Sequence, residues 1–321
     1  MKKLKQWSKS AGNLFIIKFG TSETLCNETV VNLENVKPIS LHVPKHLKPL
    51  NDEQFGHYLA GLIDGDGHFS SKQQLVIVFH SLDVSLAYYI KKRLGFGSVK
   101  KVKDKNAFLL VIVARAGLEK VINLINGKIR TEKKLNQIAN NILNHPKYHQ
   151  FSLNFCLKLN LDKDLKNHWL AGFSDADASF QIKKVNRSNQ KVEPLQLLAK
   201  AKPCSIWRQE VRLNFQIDQK TENVLLLIKD FLGGNIGYRK NQNTYYYGST
   251  SFGSAKNVIN YFDYFHLLSS KHVNYLKWRK AYLIIQDRNH LNKDGLEKII
   301  KLKNTMNRLS ETTYLLTLVS K

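Results

Sequence analysis

The sequence predicts an α+β protein made of two copies of one plan, helix–strand–strand–helix–strand–strand–helix. Three observations carry that reading. A length of 321 residues, at roughly 150 per domain, makes room for two domains. Residues 58–69 (YLAGLIDGDGHF) and 169–180 (WLAGFSDADASF) are versions of one segment, set 111 residues apart. Fainter landmarks repeat as well: Leu94-Gly95 precedes Lys133 by 39 residues, and Leu232-Gly233 precedes Lys271 by the same 39. The second copy is longer, with 55 residues from Asp177 to Leu232 against 28 from Asp66 to Leu94.

In the first copy, Phe55, Tyr58, Leu59, Leu62 and Ile63 recur at helical spacing, and Gly65-Asp66-Gly67 ends that helix. Leu75, Ile77 and Phe79 share one strand face. Leu86, Tyr89, Ile90 and Leu94 form a helical stripe. Residues 99–103 and 108–113 read as a second hairpin, and 121–125 as a helix. In the second copy, residues 208–217 alternate: Gln209, Val211, Leu213, Phe215 and Ile217 on one face, Arg208, Glu210, Arg212, Asn214 and Gln216 on the other. The predicted organisation is an arm over 1–50, a first domain over 51–150, a linker over 151–167, a second domain over 168–310 and a tail over 311–321. Trp169, Trp278 and the strand residues Tyr245, Tyr246 and Tyr247 are expected to pack inside.

Charge narrows the partner. Fifty Lys and Arg stand against 25 Asp and Glu, a net charge of +25. Such self-repulsion suits a polyanionic partner, and nucleic acid releases a counterion for each phosphate neutralised. No run of 18 apolar residues marks a membrane span, and no membrane partner is expected. Cys26, Cys156 and Cys204 are widely spaced, which argues against a disulfide framework or a zinc finger. Residues 1–50 hold eight Lys and three Glu, with no acid in the first 20, as a transit peptide or a basic arm would.

The duplicated segments carry the chemistry. Gly61 and Gly65, like Gly172 and Ala176, stand one helical turn apart, a spacing that lets two helix backbones approach closely. Helices packed this way bring Asp66 and Asp177 together at their C-terminal ends. Two carboxylates there oppose the negative end of each helix dipole, so a cation should offset them. Hard oxygen donors favour Mg²⁺, which activates water and stabilises the leaving oxygen of a phosphodiester. A calcium loop fails on spacing, because counting from Asp64 places Phe69 at position six and Leu75 at position twelve.

Residues 59–67 and 170–178 resemble the signature of the LAGLIDADG homing endonucleases. The first differs from it at Gly65, and the second at Phe173, Ser174 and Ala178. The resemblance covers about residues 50–310 and is that of a monomeric, double-motif, intron-encoded member. It implies two domains related by a pseudo-twofold axis, a saddle of antiparallel sheets, and a domain interface made by the two motif helices. It implies metal held by Asp66 and Asp177, with the backbone of Gly65 and Ala176, and makes Asp64 and Asp175 structural. It implies a catalytic lysine beside each metal, matched by Lys133 and Lys271, with Lys134 as the alternative in the first copy. The run 290–296 also resembles the family's C-terminal stretch.

The activity implied is site-specific double-strand DNA cleavage across the minor groove, with Mg²⁺ or Mn²⁺. Ca²⁺ should support binding without cleavage. Products would carry 5′-phosphate and 3′-hydroxyl ends with short 3′ overhangs. A two-stranded ribbon fits the major groove. Its polar faces should include Ser70, Lys72 and Gln74 in copy one, and Ser179, Gln181, Lys183, Arg208, Arg212, Asn214 and Gln216 in copy two. Lys100, Lys101, Lys103, Arg239 and Lys240 are expected at phosphates or in the groove. Two other readings stand beside this one: an RNA maturase that helps its own intron splice, and an inert DNA-binding regulator of the same fold. The many Lys and few Arg fit an AT-rich organellar gene, mitochondrial before chloroplast.

Overall fold

A computed structural model describes residues 37–186 and 209–306. Helix α1 (Asp52–Asp66) starts at Asn51, whose side chain accepts from the Gln54 amide at 2.8 Å. Asp52 and Glu53 in its first turn suit the positive end of the helix dipole. The chain leaves Asp66 directly into β1 (Gly67–Ser70), then β2 (Gln74–His80), α2 (Val84–Leu94), β3 (Ser98–Lys101), β4 (Ala107–Ile112) and α3 (Arg115–Ile125). Helix α2 stops at Gly95, whose φ of 78° few other residues adopt cheaply. Helices α4 (Glu132–Ile138) and α5 (His149–Leu153) complete the first half.

The second half repeats the plan: α6 (Trp169–Asp177), β5 (Ala178–Asn186), β6 (Gln209–Gln219), α7 (Asn223–Leu232), β7 (Asn235–Arg239), β8 (Thr244–Gly248) and α8 (Phe252–Phe262). It closes with α9 (Lys271–Gln286) and α10 (Lys293–Thr305). Each half holds one four-stranded antiparallel sheet, ordered β1-β2-β4-β3 and β5-β6-β8-β7. The expected α+β architecture of paired αββαββα halves is therefore present. Leu75, Ile77, Phe79, Leu110 and Ile112 line the buried face of the first sheet. Phe180, Leu213, Phe215, Ile217 and Tyr247 do so in the second. Period-two alternation put these residues inside and left the opposite faces outward.

Residues 38–50, grouped with the arm on sequence grounds, pack onto the body. Ile39 is buried and exchanges hydrogen bonds with the Gln286 amide at 2.8 and 3.1 Å. Arg279 donates to the Ser40 and His42 carbonyls and to Asp263. The segment ends where Arg93 donates to the Pro49 and Leu50 carbonyls at 3.2 Å each. It thus strings from a helix of the second half to one of the first. Among the described residues no helix is long and apolar enough to cross a membrane.

Candidate active site

Small residues decide how α1 meets α6. A Cβ added at Gly61 would lie 1.9 Å from the Trp169 carbonyl oxygen, and one at Gly172 would lie 1.9 Å from that of Tyr58. Backbone meets backbone at both crossings, and no larger side chain fits. A Cβ at Gly65 would meet the Ala176 Cβ at 2.3 Å and Asp177 Oδ2 at 2.9 Å. The last residues of the helices, Asp66 and Asp177, consequently share one end of the seam.

Asp64 and Asp175 hold each helix to its surroundings. Asp64 accepts from the Arg130 amide (2.9 Å), the Thr131 amide (3.2 Å), the Thr131 hydroxyl and the Trp169 indole (2.8 Å). Asp175 accepts from the Leu268 amide (2.7 Å), the Ser269 amide (3.3 Å), the Ser269 hydroxyl and the Tyr58 phenol (2.6 Å). The two sets match donor for donor. Burial lifts Asp64 to about 6 against the pull of its four donors, and it also raises Asp175.

Asp66 and Asp177 differ in kind. Neither is enclosed by backbone amides. Asp66 is exposed as a residue, yet crowding at the seam and then the charge of Asp177 raise its carboxyl to about 6. Asp177 is also raised by burial, and its Oδ2 accepts from Gln219 at 2.6 Å. Two lysines oppose the negative charge. Lys271 Nζ donates to the Ala176 carbonyl at 2.6 Å and the Ser174 carbonyl at 3.2 Å. In the first half the counterpart is Lys134, which donates to the Gly67 carbonyl and lies 3.5 Å from that of Gly65. Burial lowers the affinity of both lysines for their protons.

The structure places Lys134, the alternative in the first copy, beside the acids, and not Lys133. Lys133 and Lys271 lie at matched distances along the chain, but Lys133 is exposed on the first turn of α4. Thr131 caps α4, whereas Ser270, one place beyond the Thr131 counterpart Ser269, caps α9. Lys134, three places beyond Thr131, turns inward, and Lys271 does so two places beyond Ser269. The Ala176 and Gly65 carbonyls face these lysines, Ala176 at 2.6 Å and Gly65 at 3.5 Å.

The donor set fits a hard divalent cation. Burial raises the proton affinity of both carboxylates, and the charge of Asp177 raises that of Asp66 further, which leaves negative charge to be neutralised. Among the described residues no group of three His, Cys, Asp or Glu would hold a metal alone. Any cation at Asp66 and Asp177 would take its other ligands from water and phosphate oxygens, as Mg²⁺ does.

A family model described as LAGLIDADG endonuclease matches residues 59–142 and 170–282. The chain belongs to this family. It is 63% identical over 301 residues to a cox1 intron-2 protein of 37.2 kDa from Schizosaccharomyces pombe, covering 94% of this chain and 85% of that one. It is 29% identical to the intron-encoded DNA endonuclease aI3 of Saccharomyces cerevisiae, covering 74% of this chain and 65% of that relative. Its fold resembles the crystal structure of the meganuclease I-SmaMI bound to uncleaveable DNA, with a TM-score of 0.57, 23% identity and coverage of 79% and 99%.

The outward sheet faces of this LAGLIDADG chain carry most of the residues expected at DNA. Ser179, Gln181 and Lys183 stand opposite Gln216, Asn214 and Arg212 in the β5–β6 register. Asn214 is buried rather than presented, because its amide donates to Gln181 (3.4 Å) and Gln216 (3.2 Å). Arg212 is engaged by Glu210 at 3.0 Å. Arg239 pairs with Asp218 at 2.8 Å and lies over the Tyr246 ring. Tyr247 is inside, so the tyrosine run splits between faces. Lys72, Lys100, Lys101, Lys103 and Lys240 are exposed. Gln74 and Ser70 pair at the β1–β2 end, with Lys72 in the turn between them. Arg208 lies outside the described residues, as do Cys26 and Cys204.

Sequence reasoning missed three contributors. Gln219 was readable as a polar residue continuing the apolar parity of Phe215 and Ile217. The Tyr58 phenol and Trp169 indole were not, because their partners lie on the opposite helix. Trp169 is fully buried as expected, with the added task of holding Asp64.

Proposed function

We propose that the protein is a site-specific, metal-dependent double-strand DNA endonuclease. The observation that carries this is the pair Asp66 and Asp177 at one end of a pseudo-twofold seam, attended by buried Lys134 and half-buried Lys271. Asp66 and Asp177 bind Mg²⁺, which when bound supplies an activated water and charge stabilisation at the leaving oxygen. Mn²⁺ should substitute, and Ca²⁺ should allow binding alone. Lys134 and Lys271 balance the carboxylates, and their weakened hold on protons suits them to orient attacking solvent and exchange a proton with it.

One acid per half serves one strand, so two cuts fall across the minor groove with short 3′ overhangs. The sheets lie along the major groove, with net charge +25 drawing the duplex in. The cox1 intron origin of the relative supports a mitochondrial intron gene for this chain, acting as a monomer. The test is cleavage, with Mg²⁺, of the duplex formed by joining the two exons that flank its intron. Wild type should cut both strands, and Asp66→Asn or Asp177→Asn should not. Full double-strand cutting by either variant would defeat the reading. Splicing of precursor RNA by purified protein that leaves the duplex intact would favour a maturase.

A further inference from the structure

The two outward sheet faces are built from different chemistry at matched positions. The registers Gly67↔Ile77 and Ala178↔Ile217 align the sheets. On that alignment Val76 matches Gln216, Val78 matches Asp218, Leu109 matches Tyr246 and Val111 matches Gly248. In the first half these four side chains are neighbours, because Val76 pairs with Val111 and Val78 with Leu109. Val78 is 47% exposed, and the other three are half-buried. They form an outward apolar patch on a sheet whose inner face is already filled. In the second half the same places hold the Gln216–Asp218–Arg239 hydrogen-bonded chain, with Arg239 over the Tyr246 ring.

We infer that the first half reads its half-site through thymine methyl groups, while the second reads through hydrogen bonds. This rests on the endonuclease reading above and names the sequence class it would select. DNA is the occupant because the patch is the pseudo-twofold equivalent of a polar base-reading face. It is also flanked by cationic Lys100, opposite Leu109, and by exposed Lys72 in the β1–β2 turn. Valine and leucine have no donor or acceptor to offer a base edge. The one apolar feature of the major groove is the thymine C5 methyl. The first half-site should therefore be rich in thymine where Val76, Val78, Leu109 and Val111 lie.

The test begins with duplex selected from a randomised library by binding in Ca²⁺, so that cleavage is not required. Each thymine of the selected site is then replaced by deoxyuridine, which removes only the methyl. Binding should weaken about fourfold per methyl contacted, at positions confined to one half-site. In Val76→Ala/Val78→Ala, both on the outward face and neither fully buried, that sensitivity should fall at the positions these two side chains meet while the other half-site stays selective. Equal losses in both half-sites, no loss anywhere, or losses unchanged in the variant at every position would overturn the inference and leave the endonuclease reading standing. Failure to retain any duplex would overturn both.

Discussion

The Tyr58 phenol donates to Asp175 on the opposite helix at 2.6 Å, and the Trp169 indole returns the contact to Asp64 at 2.8 Å. Each half of the protein thus completes the hydrogen bonding of a buried acid in the other. The motif acids two places earlier than Asp66 and Asp177 act as fasteners between halves. Asp175→Asn would put an amide among four donors and should cost about 3 kcal/mol. Tyr58→Phe, which removes one donor, should cost about 1–2 kcal/mol. Urea unfolding of the purified protein measures both, and equal costs would contradict this division.

Gly172→Ala should be worse than its single methyl suggests. The new Cβ meets the Tyr58 carbonyl at 1.9 Å, and a backbone atom cannot rotate aside. A loss of about 3 kcal/mol or more, with weakened DNA binding from misaligned halves, is expected. The control is Gly253→Ala, where a Cβ meets nothing within 4 Å. Its unfolding midpoint should stay close to wild type.

Lys134 and Lys133 are neighbours in sequence with different surroundings. Lys134→Met removes the buried cation beside the acids, and turnover should fall about 100-fold with the fold retained. Lys133→Met should leave turnover within about twofold. Single-turnover cleavage on the selected site separates the two, and a reversed order would restore the choice made from chain spacing.

Cleavage should depend on pH through Asp66. Burial and the charge of Asp177 raise its carboxyl to about 6, so it is ionised above that value and protonated below it. Activity at limiting Mg²⁺ should hold from neutral pH down to about 6, then fall about tenfold per pH unit. Raising Mg²⁺ should move the fall to lower pH, because the cation competes with the proton. EDTA should abolish cutting while leaving much of the duplex binding. A profile flat to pH 5 at low Mg²⁺ would show that Asp66 does not hold the ion.

Much of this was legible in the sequence because it is periodic or repeated. The inward residues Leu75, Ile77, Phe215 and Ile217 follow from alternation, and the seam follows from Gly61, Gly65, Gly172 and Ala176. Lys134 escaped because matched chain spacing points to Lys133 and does not tell which of two adjacent lysines turns toward the seam. Asn214 escaped because alternation tells outward from inward but not whether neighbours cover an outward side chain. The engagement of residues 38–50 by Arg93, Arg279 and Gln286 escaped for a third reason: carbonyl acceptors leave no trace in side-chain identity.

The glycine crossing has an evolutionary corollary. With main chain against main chain at Gly61 and Gly172, the gauge between the two acids cannot drift by small substitutions. The outer strands are under no such restraint and can be rewritten one position at a time. On the proposed endonuclease reading, a lineage built on this frame can wander across target sequences while the stagger of its cut stays inherited.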